Sequence, residues 1–83
     1  MTPNEALRKA VRIVGSQSRL AREIGNGITQ AHIHYWLTKA QVVPAKHCPT
    51  IERIVKREVT CEELNPLVDW WVLRDMSPIH PTL

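Results

Sequence analysis

The stretch GSQSRLAREIGNGITQAHIHYWL, residues 15–37, decides how the chain is read. Ser16 is placed to cap a helix, because its hydroxyl can accept from the free backbone N–H groups of a first turn, and Leu20, Ala21 and Ile24 then form an apolar stripe. Gly25-Asn26-Gly27 ends that short helix in a tight turn, since these residue types tolerate positive φ with least strain. Thr29 is the next capping residue. Ile33, Trp36 and Leu37 then fall at i, i+3 and i+4, so they face inward from a second helix of about two to three turns. Its outer face carries Gln30, Ala31, His34 and Tyr35, and His32 is expected to be simply exposed.

Working outward toward the N-terminus, Asn4 precedes a segment in which Leu7, Ala10, Val11 and Val14 recur at helical spacing. Arg8, Lys9 and Arg12 lie on its other faces and Gly15 supplies a stop, which predicts a first helix. Toward the C-terminus, Pro44 is a good first residue for a fourth helix, but Pro49 interrupts the pattern one turn in. Either helix four starts at Pro44 with a kink, or a 3₁₀-like turn precedes a helix starting near Pro49; both place Ile51, Ile54 and Val55 on the core. Thr60 and Glu63 form a capping box, predicting a short fifth helix over Cys61 to Leu64. Asn65-Pro66 reads as a cap followed by a first-turn proline, opening a helix through Leu67, Val68, Trp70, Trp71, Val72 and Leu73. That helix is apolar all round, so it is packed into the domain, paired with another copy, or offered to a partner. Ser77 to Pro81 reads as a loose, proline-punctuated tail.

A chain of 83 residues, 43% hydrophobic and 23% charged, has the composition of one folded domain rather than of a disordered segment. No apolar run approaches the roughly 20 residues that span a bilayer, and the N-terminus lacks the regions of a signal peptide. A cytoplasmic protein, nucleoid-associated in a bacterial or phage-infected cell, is therefore expected, with no membrane partner. Cys48 and Cys61 should stay reduced, and their spacing matches neither a disulfide framework nor a zinc motif. His47 beside Cys48 lacks a second pair of ligands, so Cys48 reads as a buried thiol and no metal or cofactor is expected.

The net charge of +3 conceals an asymmetry: residues 1–57 carry ten Lys or Arg against Glu5, Glu23 and Glu52, a net +7, whereas residues 58–83 are net −4. No carboxylate lies between Glu23 and Glu52, where Lys39, Lys46, His32, His34 and His47 fall, a pattern suited to a surface that faces phosphates. There is no Gly-rich phosphate loop, no His-Glu-x-x-His and no nucleophile with an evident base, so no enzymatic activity is expected. Glu62 and Glu63 diverge on a helix and serve as capping and solvating groups.

Two short helices joined by a tight turn, the second amphipathic with a polar outer face, form the geometry that lays a recognition helix in the major groove. Here the sequence resembles the Cro/CI-type helix-turn-helix repressors of phages, and more closely the prophage YdaS-like subgroup of antitoxin-repressors. The resemblance rests on Gly15-Ser16-Gln17-Ser18-Arg19-Leu20-Ala21, followed by Gly25, Thr29-Gln30-Ala31, Trp36-Leu37, Val43-Pro44-Ala45, Ile51-Glu52 and Val59-Thr60, and covers residues 5–66. Asn26 and Gly27 depart from it by lengthening the turn. The resemblance implies an all-α, lambda-repressor-like fold of about five short helices in residues 1–65, with residues 66–83 as a helical C-terminal extension.

The same resemblance implies residue roles. Gln17 bonds a phosphate and braces Gln30; Gln30 reads base edges, since a glutamine amide can pair bidentately with adenine. Ala31 offers a methyl to thymine, and His34 and Tyr35 lie farther along the same face. Thr29, Arg19, Arg22, Lys39 and Lys46 are phosphate candidates, which position the protein without reading sequence. The expected function is repression through a roughly palindromic double-stranded operator bound by a homodimer, with Leu67, Trp70 and Trp71 at the dimer interface. The alternative is an antitoxin-like interaction module whose acidic, Trp-containing C-terminal segment engages a toxin or another protein partner.

Overall fold

A computed structural model of the chain describes residues 1–75, with side chains through Val72. The expected tail, Ser77 to Pro81, and the side chain of Leu73 lie outside that range. The described elements are all helical: α1 (Pro3–Val14), α2 (Gln17–Ile24), α3 (Gln30–Tyr35) running into a π-helical turn (Trp36–Ala40), a 3₁₀ turn (Ala45–His47), α4 (Cys48–Ile54), α5 (Cys61–Leu64) and α6 (Trp70–Asp75).

Helix α1 starts one residue before Asn4. Thr2 is its cap: the Thr2 hydroxyl accepts from the Glu5 N–H at 3.1 Å and the Glu5 carboxylate accepts from the Thr2 N–H at 2.8 Å, while Pro3 occupies a position whose N–H would be unused anyway. Asn4 is freed for another task. Its Nδ2 donates to the Leu37 carbonyl, tying α1 to the end of the α3 segment. That carbonyl lies within the π-helical turn, where the wider i→i+5 pattern, seen in the Gln41 N–H bonded to the Trp36 oxygen, replaces regular α bonding.

Ser16 caps α2 through the Arg19 N–H at 3.1 Å, and Gly25, Asn26 and Gly27 follow with φ of +71°, +55° and +79°. Three successive left-handed residues reverse the chain; a β-branched residue at any of them would be strained. Of the two routes into α4, the chain takes the second: a 3₁₀ turn over Ala45–His47, then α4 from Cys48 with Pro49 in its first turn.

Leu7, Leu20, Ile33, Val43, Ile51, Val55, Val59 and Leu64 are fully enclosed, with Ala6, Ala10 and Ala21 supplying small contacts between helices. The core thus draws on every helix from α1 to α5, and α2 packs directly on α3. Buried Glu52 links α4 to α5, accepting from the Cys61 N–H at 2.7 Å and pairing with Arg57 at 3.3 Å. A carboxylate this enclosed is tolerated because a backbone donor and a guanidinium replace its water.

The C-terminal segment departs from the sequence reading. Asn65 does not cap a helix beginning at Pro66. Its Nδ2 donates to the Val43 carbonyl at 2.8 Å, its Oδ1 accepts from the Leu67 N–H at 3.1 Å, and its backbone carbonyl accepts from the Trp70 indole at 2.7 Å. Residues 66–69 form a turn, and α6 opens only at Trp70. Trp70 is 6% exposed and belongs to the chain's own core, which corrects its expected place at a dimer surface; Leu67 and Trp71 are 81% and 69% exposed.

The two neighbouring tryptophans should therefore behave oppositely. In dilute solution, Trp70→Ala should cost about 3–5 kcal/mol in urea unfolding, whereas Trp71→Ala should stay within about 0.5 kcal/mol of the parent. Equal losses would contradict the placement of the two rings.

Candidate nucleic-acid interface

Helix α3 is anchored by one face. Ile33 is fully buried and Trp36 and Leu37 nearly so, which leaves Gln30, Ala31, His34 and Tyr35 on the solvent side, Tyr35 at 57% exposure. The expected inward and outward sets are those observed. Gln30 does not wave freely at the helix start: its Nε2 donates to the Gln17 Oε1 at 2.9 Å, so the amide that opens α3 is clamped to the first residue of α2. A glutamine held through one N–H keeps its second amide N–H and its carbonyl as further donor and acceptor, the two groups that pair with adenine N7 and N6.

His32, expected to be simply exposed, is exposed but engaged. Its Nδ1 accepts from the Thr29 N–H at 3.0 Å, and the Thr29 hydroxyl lies at 3.0 Å from the same nitrogen. The imidazole therefore takes the place that a Glu or Gln holds in an ordinary capping box, with an unprotonated Nδ1. Histidine three residues after a capping threonine was the available signal, though the usual pattern names only Glu or Gln.

Of the cationic residues singled out by the sequence, Arg19 and Arg22 are exposed on α2, Lys39 on the π-helical turn and Lys46 on the 3₁₀ turn, with Thr29 exposed and Gln17 half-buried at the two helix starts. Gln17, Thr29 and Gln30 are brought together where the two helices begin. Lys46 is set on the flank, where it shares an open cleft of about 670 Å³ with Asn26, Gly27, Ile28, His32, Trp36, Pro44 and His47. The lengthened turn after α2 thus forms one wall of that cleft.

Trp36 is its floor, with the His32 ring centroid 6.5 Å away and the His47 ring 5.4 Å away at a tilt of 32°. Burial pushes the His47 pKa below its ordinary value, helped by the nearby charge of Lys46 and by His32. Burial likewise pushes the Cys48 thiol up to about 12, so it is a neutral core group at physiological pH. Among the described residues no three His, Cys, Asp or Glu side chains gather as a metal site, and no helix is long and apolar enough to cross a membrane.

These features are those of a helix-turn-helix domain of the Cro type, and comparison with known proteins agrees. A solved structure titled "Structure of the Cro protein from putative prophage element Xfaso 1 in Xylella fastidiosa strain Ann-1" matches with a TM-score of 0.69 and 38% identity, over 76% of this chain and 92% of that one. "Putative transcriptional regulator YdaS" of Escherichia coli (strain K12) is 39% identical over 71 residues, covering 86% of this chain and 70% of that protein. Residues 7–73 match the family described as "Bacterial toxin YdaS", and the chain belongs to that family.

The lowered His47 pKa has a sign. Above an ordinary histidine value of 6.5 both folded and unfolded chains hold it neutral; below that value the unfolded chain takes up the proton more readily, so stability falls. Melting temperature should decline between pH 7.5 and 5.5 (roughly one unit either side of that value) more steeply in the parent than in His47→Gln. Parallel declines would contradict the assignment.

Proposed function

We propose that this protein is a sequence-specific, double-stranded DNA-binding transcriptional repressor of the prophage Cro type, acting in the cytoplasm on nucleoid DNA. The observation that carries this reading is the Gln17–Gln30 bond, which holds the first side chain of α3 at the outward edge of a helix whose opposite face is buried. The Cro-like fold and the regulator named among its relatives support it. No chemistry is proposed: the protein acts by occupancy, occluding a promoter.

In this account α3 enters the major groove. Gln30, Ala31, His34 and Tyr35 meet base edges, and Gln17, Arg19, Arg22, Thr29, Lys39 and Lys46 meet backbone phosphates that set register without reading sequence. A homodimer places two such helices about 34 Å apart on a roughly palindromic operator. Residues 1–65 form the DNA-binding part and residues 66–83 the extension, with Trp70 rooting the extension in the core so that Leu67 and Trp71 project as the dimer contact.

A second reading is favoured by that same exposed pair in a net-negative segment: an antitoxin-like module that engages a toxin or another protein through this surface.

Selection from random duplex DNA at moderate salt should recover a palindromic site, and Gln30→Ala should relax one position of each half-site by about 1–3 kcal/mol. The absence of any enriched sequence would overturn the repressor reading. Leu67→Ser with Trp71→Ser should shift the protein to monomer in sedimentation and remove cooperativity between half-sites; an unchanged dimer would assign the pair to a different partner.

A further inference from the structure

We infer that a cleft between α1 and the start of α2, walled by Arg8, Arg12 and Gln17, seats a phosphodiester of the DNA backbone, making α1 part of the DNA-binding surface. This inference rests on the DNA-binding reading above. The cleft, about 320 Å³, is lined by Arg8, Val11, Arg12, Gly15, Gln17 and Leu37. It adjoins the Gln17–Gln30 pair, so a phosphate seated in it lies directly beside the first residue of α3.

The cationic wall is partly ordered and, among the described residues, forms no ion pair. Arg8 donates its Nε to the Asn4 Oδ1 at 2.8 Å, and Asn4 is itself bonded to the Leu37 carbonyl, so one guanidinium edge is fixed while its remaining N–H groups stay free. Arg19 lies over Gly15, its Cδ and Nη1 3.8 and 3.9 Å from where a Cβ would stand, which brings a third guanidinium to the rim. None of the three arginines is ion-paired with a carboxylate among the described residues. Glu5 shares a second cleft with Met1, Arg8 and Arg12, but its Oε1 is committed to the Thr2 N–H and it forms no ion pair with either arginine. Gln17 gives its Oε1 to Gln30, which leaves its Nε2 as a donor for an anion. Guanidinium groups and an amide donor around an open cleft on an apolar floor of Val11 and Leu37 are a phosphate-recognition set.

The test compares the parent with Arg8→Gln, Arg12→Gln and, as a control of equal charge change outside the cleft, Arg53→Gln on α4. Affinity for the selected duplex is measured across a salt series, and contacted phosphates are mapped by ethylation interference. Loss of the contact should lower the slope of log affinity against log salt by about 0.9 in each cleft variant. One interfering phosphate should vanish from each half-site, with base preference and melting temperature unchanged and Arg53→Gln matching the parent. Cleft variants with the parent's slope and interference pattern would overturn the inference while leaving DNA binding by α3 intact. A slope that falls equally in Arg53→Gln, with no phosphate lost, would show bulk charge and overturn it too. A parent that binds no duplex would overturn both readings.

Discussion

A helix of six residues does not persist in water by itself, because nucleating the first turn costs more than so few bonds return. Everything distinctive in this chain follows from how α3 is nevertheless held. Ile33, Trp36 and Leu37 are buried against the rest of the domain, the π-helical turn extends the segment past Tyr35, and Asn4 reaches from α1 to the Leu37 carbonyl. At the other end, His32 closes the cap on Thr29 and Gln17 clamps Gln30. Rotation of α3 about its axis is set by the buried face, and the outward residues are consequences of that burial.

The charge distribution is sharpened by what the carboxylates do. Of the three acidic residues in the basic front part, Glu5 is drawn into the α1 cap, where the Thr2 backbone N–H holds its pKa below the usual range, and Glu52 is buried between the Cys61 N–H and Arg57. Only Glu23 stands exposed without such a task. The arginines and lysines around α2 and α3 therefore face solvent with little internal neutralisation, the condition under which an anionic polymer is attracted over distance.

Much of this architecture was legible because local signals and burial agree. Ser16, Thr60 and the Gly25 to Gly27 turn announce element ends by chemistry that acts within a few residues, and the Ile33, Trp36, Leu37 spacing marks the buried face directly. What escaped the reading depends on contacts far along the chain. Asn4 looks like a cap but bonds Leu37, leaving the cap to Thr2. Asn65 and Pro66 look like a helix start, yet Asn65 is recruited by Val43 and by the Trp70 indole, so the helix begins later. The adjacent tryptophans have the same residue type and opposite fates, and no periodicity in so short a segment separates them. The π-helical turn carries no sequence signature, and although spacing alone marks Thr29 as a cap and Gln30 as outward, the bracing of Gln30 by Gln17 was readable only through the family resemblance.

The central claim is that α3, oriented by its buried face and by Gln17, is the surface that meets duplex DNA. Amide chemical-shift mapping of the isotope-labelled protein, titrated with a duplex recovered by selection, tests it most directly. The account predicts that the largest changes cluster on Gln17 and on Gln30 to Tyr35, while the Trp70 indole signal stays in place. Shifts centred on Leu67 and Trp71, with α3 unperturbed, would contradict it.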